Sequence, residues 1–137
     1  MVTAQELLSY ELKILQRIQH LLNLAINASS SHDLKTKLCA HLTKTDMLES
    51  QVQILCEQRG WEPMDLEPAM KWWLDLRFRH KTDTDIAEYL IRHYTSEQIN
   101  LMKRYNVSDH SDAAIRVVVQ KFFDYSTFGI HQLHPFL

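Results

Sequence analysis

Four residues of this 137-residue chain combine chemistry-bearing side chains with places along apolar helical stripes: Glu11, Glu49, His93 and Glu97. Glu11 lies among Leu8, Leu12 and Leu15, and Glu49 lies between Thr45 and Val52. His93 and Glu97 stand four apart between Leu90 and Leu101, hence on one helical face. Three carboxylates and an imidazole make an oxygen and nitrogen donor set suited to iron, manganese or zinc. A competing reading carries more weight. It puts these side chains at stripe edges, reaching solvent or pairing with Lys13, Arg92 or Arg104, because a boundary shift of about two to four residues rotates any of them off the core. No catalytic residue and no cofactor is assigned on this reading; iron or manganese belongs to the alternative.

A second set could act by contact. Trp61, Trp72, Trp73 and Phe78 concentrate in one stretch, either sealing it against the rest of the fold or presenting an aromatic patch to a protein partner. Cys39 and Cys56 are seventeen residues apart. On one helix that is about 25 Å, too far to bridge, so they read as reduced, inert thiols. His41, on the Leu38 face, and His20 read as ring-packed or exposed. The sequence holds no Gly-rich phosphate loop, Cys-x-x-Cys pair or His-Glu-x-x-His helix, and its one basic cluster, Arg77 to Lys81, reads as solvated.

Four helices must position these residues. Thr3-Ala-Gln-Glu6 opens the first, with Leu8, Leu12, Leu15, Ile18, Leu22 and Ala25 recurring at threes and fours to about Asn27. Ser30-Ser-His-Asp33 opens the second, whose stripe runs from Leu34 through Leu38, Leu42, Thr45, Leu48 and Val52 to Leu55 before Gly60. Thr82-Asp83-Thr84-Asp85 opens the third, to about Tyr105. Ser108-Asp109 caps a fourth with stripe Ala114, Val118, Phe122 and Tyr125, its end weakened by Gly129 and Pro135. The β-branched run Val117 to Val119 is flanked by helix and has no pairing partner, so it reads as helical. Some 21 residues separate Gly60 from Thr82, too many for a bundle turn, which usually takes about 2 to 8. The expectation is an all-α, ferritin-like four-helix bundle in one domain, residues 1–137, with a crossover near 61–81 that makes the second and third helices parallel. In that arrangement Glu11, Glu49 and Glu97 fall at similar depths.

The segment Asp46-Met-Leu-Glu-Ser-Gln-Val-Gln-Ile-Leu-Cys-Glu-Gln-Arg-Gly60-Trp61-Glu-Pro63 resembles the end of the second helix in spore coat protein F-like proteins, ferritin-like four-helix proteins of spore-forming bacteria. Asp85-Ile-Ala-Glu-Tyr-Leu-Ile91 and the closing Ile130-His-Gln-Leu-His-Pro-Phe-Leu137 resemble the same group. The resemblance implies a ferritin-like bundle with a role in the spore or its coat. Ferritin-like di-iron proteins place Glu-x-x-His pairs on two helices. None of the eight histidines here follows a glutamate by three; the place of the second-helix pair falls on Lys44 and Met47, and in the fourth helix Asp124 is the lone carboxylate of its stretch.

Composition bounds the rest. Fifteen Lys plus Arg against seventeen Asp plus Glu leave a net charge of -2, with no basic surplus for nucleic acid. No apolar run is long enough to span a membrane, and no signal peptide is recognisable. Two Gly and three Pro are too few for an all-β fold. The expected protein is cytoplasmic, with the spore association that the resemblance implies. It is expected to be non-enzymatic and engaged with protein partners or with itself, a homodimer being compatible with the bundle. A metal-dependent oxidase-type activity is the alternative.

Overall fold

A computed structural model describes residues 1–62 and 81–137 as four helices: α1 Ala4–Ala28, α2 His32–Gln58, α3 Asp83–Asn106 and α4 Ala113–Leu133, closed by a 3-10 turn at His134–Phe136. Among these residues no helix is long and apolar enough to cross a membrane. Thr3 caps α1 by accepting the Glu6 N–H at 3.1 Å. Thr82 and Asp85 form a reciprocal capping box at the start of α3, where the sequence places a helix start. At the end of α2, Gly60 takes a φ of +72°, its N–H donates to the Glu57 carbonyl, and the Trp61 N–H donates back to Cys56. This paired bonding is a Schellman closure, which needs a left-handed residue after the helix.

Two boundaries differ from expectation. α2 is capped by Ser31 rather than Ser30. Across the fold, the Asp83 carboxylate accepts the N–H groups of both Ser30 and Ser31, at 2.8 and 2.9 Å. α4 starts at Ala113 under an Asp112 cap, not at Ser108-Asp109. Ser108 is spent on the end of α3, donating its hydroxyl to the Tyr105 carbonyl, and Asp109 closes a local turn onto Ser111. The shifted start leaves Ala114 exposed and puts Ile115 in the core. Val117 to Val119 are helical, and α4 runs unbroken through Gly129.

The Asp83 contact puts the start of α3 beside the α1–α2 turn, at the end where α2 begins. At the other end the Val2 N–H donates to the Val107 carbonyl, and Arg59 after α2 grips Asp112 before α4 through Nε and Nη2. α2 and α3 therefore run parallel, and residues 59–82 join opposite ends of the bundle, as the length of that stretch predicts. α1 packs on α2 and α3, and α4 on the same two; the parallel pair lies diagonally. One contiguous core fills the space between, from Leu7 and Leu8 through Ile18, Leu38, Val52, Leu90 and Phe122 to Leu133.

Asp83 joins three helix ends through one carboxylate. Asp83→Ala is expected to lower stability by about 1 to 2 kcal/mol, the worth of two charge-assisted bonds at a partly exposed site. Urea denaturation checks this, and an unchanged midpoint would show that water replaces the carboxylate at no cost.

Candidate functional site

The four candidate ligands meet different surroundings. Glu11 is fully buried on α1, with neither carboxylate oxygen hydrogen-bonded, and burial holds its pKa well above the usual carboxylate range. It turns toward α2, where burial first and the Glu11 charge second push the Cys56 thiol up. Glu97 is buried on α3 but fully engaged: it accepts the Tyr10 hydroxyl at 3.0 Å and Arg17 Nη1 at 3.3 Å, both from α1. His93 lies one turn away, half-buried and stacked on Tyr89; burial and the Arg17 charge lower its pKa to about 4. Glu49 is half-buried on α2 and is held by the Gln53 amide.

The fold thus brings Glu97 and His93 to Arg17, while Glu11 faces another helix. Among the described residues no three His, Cys, Asp or Glu side chains gather in a way that would hold a metal ion. Arg17 also sets a fixed cation against the carboxylate a metal would need. The donor set does not fit a di-iron centre. The pairings anticipated with Lys13, Arg92 and Arg104 give way to this one: Arg92 pairs with Glu88 on its own helix, and Arg104 lies 3.7 Å from the Tyr10 ring centre, covering the ring whose hydroxyl holds Glu97.

A polar cluster lies between α2, α3 and α4, where His41 is ring-packed, one of the two readings its place on the Leu38 face allows, and Tyr94 is the member that the stripes omit. The His41 ring is buried, stacked on Tyr94 at 5.2 Å and edge-on to Tyr125 at 4.5 Å. Thr45 donates its hydroxyl to the His41 carbonyl at 2.8 Å, so the 2.5 Å contact between Thr45 Oγ and Tyr125 has the tyrosine donating. Burial raises both tyrosine pKa values, and burial with the nearby Lys44 charge lowers His41 to about 4. Neither His41 ring nitrogen has a hydrogen-bond partner. The adjoining void, walled by Leu22, Leu38, Tyr94 and Gly129 among others, measures about 10 Å³, room for one water at most. A neutral imidazole in such a space packs; it has neither an acid-base partner nor room for a substrate. The sequence clue is Gly129, a mid-helix glycine opposite this ring.

Exposed apolar side chains are organised differently. Met47 and Ile54 on α2, and Val117 and Phe128 on α4, are each 42 to 60% exposed and follow the seam between these helices. Lys44 lies 3.4 Å from the centre of the Phe128 ring, and Lys121 donates across the seam to Gln51 at 3.0 Å. A shallow groove of about 190 Å³ follows the same line. Of the anticipated partner aromatics, Trp61 is half-buried against the core. Trp72, Trp73 and Phe78 lie outside the described residues.

No protein-family model and no curated protein matches the chain. Among solved structures, it is similar to YcfI of Rhodopseudomonas palustris, described as "a putative structural protein", with a TM-score of 0.55 at 17% identity over 96% of this chain and 92% of that one. At that identity the likeness concerns the helical fold.

Proposed function

We propose that this protein is a non-enzymatic helical bundle acting through protein association, in a structural role related to the spore coat. The observation that carries the reading is on the surface: four large apolar side chains, Met47, Ile54, Val117 and Phe128, face outward along one seam, whereas inside the bundle Glu97 is hydrogen-bonded and the His41 ring is packed between tyrosines. The structural neighbour's description and the coat-protein resemblance of residues 46–63 support the same reading. The crossover aromatics Trp72 and Trp73 form a second candidate contact.

Metal analysis tests the reading at its weakest point, the unpaired Glu11 carboxylate from which a metal site would start. After expression in metal-supplemented medium and anaerobic Fe(II) reconstitution, iron, manganese and zinc are expected well below one ion per chain in elemental analysis. Stoichiometric metal, lost in Glu11→Ala with Glu97→Ala, would replace this reading with an oxidase-type one. Association retained in both Trp72→Ala and Trp73→Ala would remove the crossover as the contact.

A further inference from the structure

The exposed residues of the α2–α4 seam repeat in mirror order about its middle. On α2, Met47 and Ile54 stand equally far from the point between Ser50 and Gln51. On α4, Val117 and Phe128 stand equally far from the point between Phe122 and Phe123, and Lys121 and Asp124 straddle that same point. The antiparallel register set by Lys121 on Gln51 and Tyr125 on Thr45 brings the two midpoints level to within about two residues, ~3 Å along the bundle.

We propose that this seam is a two-fold docking face for a second copy of the chain, with α2 lying antiparallel on α2 and α4 on α4. Met47 then meets Ile54 of the second copy, and Val117 meets Phe128. Lys121 meets Asp124 in two symmetry-related ion pairs. A self-complementary patch is what an isologous interface requires: the four apolar residues find one another, and Lys121 finds Asp124. Both charges have capacity to spare, because Lys121 gives one proton to Gln51 and Asp124 accepts one bond from Gln120. Ser50, exposed beside the axis, meets Gln51 of the second copy, a hydroxyl against an amide, so no like charges face each other at the centre of α2. Four of the six exposed large apolar residues within the described helices lie here; the other two, Ile99 and Met102, are on α3 without such symmetry.

The inference rests on the association reading but fails separately from it. Sedimentation velocity of the full chain over about 1 to 500 µM is expected to show a monomer–dimer equilibrium. Ile54→Asp and Val117→Asp should each weaken it about tenfold or more with the helicity of the monomer unchanged, since both residues are exposed. Lys121→Glu should also weaken it, and adding Asp124→Lys should restore it, because the exchanged charges still meet across a two-fold axis. A chain monomeric throughout, a dimer indifferent to these changes, or an exchange that fails to restore pairing would each overturn the proposal. Disruption by Ile99→Asp instead would move the interface to α3 and leave the association reading standing.

Discussion

Replacing Gly129 with alanine is expected to destabilise the protein by about 3 kcal/mol and lower its melting temperature by about 10 °C, although alanine is the better helix former by about 1 kcal/mol. A Cβ there would lie 2.1 Å from His41 Nε2 and under 3 Å from two ring carbons. The ring has no retreat, with Tyr94 stacked on it and Tyr125 against its edge. The cost belongs to the pair. In a His41→Ala background, the same glycine replacement should be neutral or stabilising by up to about 1 kcal/mol. Thermal denaturation of the four proteins in this cycle measures the coupling, and an equal cost in both backgrounds would mean that α4 shifts to admit the methyl group.

Replacing Glu11 with methionine should stabilise the protein at neutral pH and do much less in acid. Burial raises the folded carboxyl's pKa, so the native state holds a proton that the unfolded chain releases near pH 4.5. Below that value both states are protonated, and the variant gains little. As pH rises the wild type loses stability, at up to about 1.4 kcal/mol per pH unit, until the folded carboxyl ionises too, so the advantage of Glu11→Met grows with pH above the unfolded value. Urea midpoints of the two proteins from pH 4 to pH 8 test the sign. Parallel curves would show that Glu11 ionises alike in both states, by reaching water or a partner.

The helices are legible in the sequence because four stripes of Leu, Ile and Val recur at helical spacing between strong caps. The parallel second and third helices are legible because the stretch between them is too long for a turn. The differences arise where a side chain serves a distant element. Asp83 is 53 residues along the chain from Ser30, yet it binds the backbone at which α2 opens, and Ser108 cannot cap α4 because it finishes α3. The site is less legible for the same reason. His93 stays at the stripe edge, as the weightier reading has it, but the core position falls to the next residue, Tyr94, which no stripe includes. Glu97 does fall on the inner face, but its partners Tyr10 and Arg17 belong to a helix about 80 residues earlier, beyond any local pattern. The symmetry of the α2–α4 seam needs a register between two helices, which no single stripe contains.

Placing the parallel helices at opposite corners has an electrostatic consequence. Each helix carries roughly half a positive charge at its N-terminus and half a negative charge at its C-terminus. Because α2 and α3 are diagonal, every pair of packed neighbours runs antiparallel, and signs alternate from corner to corner at both ends of the bundle. A direct turn from α2 to α3 would have reversed α3 and set it parallel to a helix it packs against. The long crossover therefore spares the bundle like-signed helix ends side by side. At the two positive corners, where α2 and α3 begin, Asp33, Asp83 and Asp85 stand in the first turns to meet the local field.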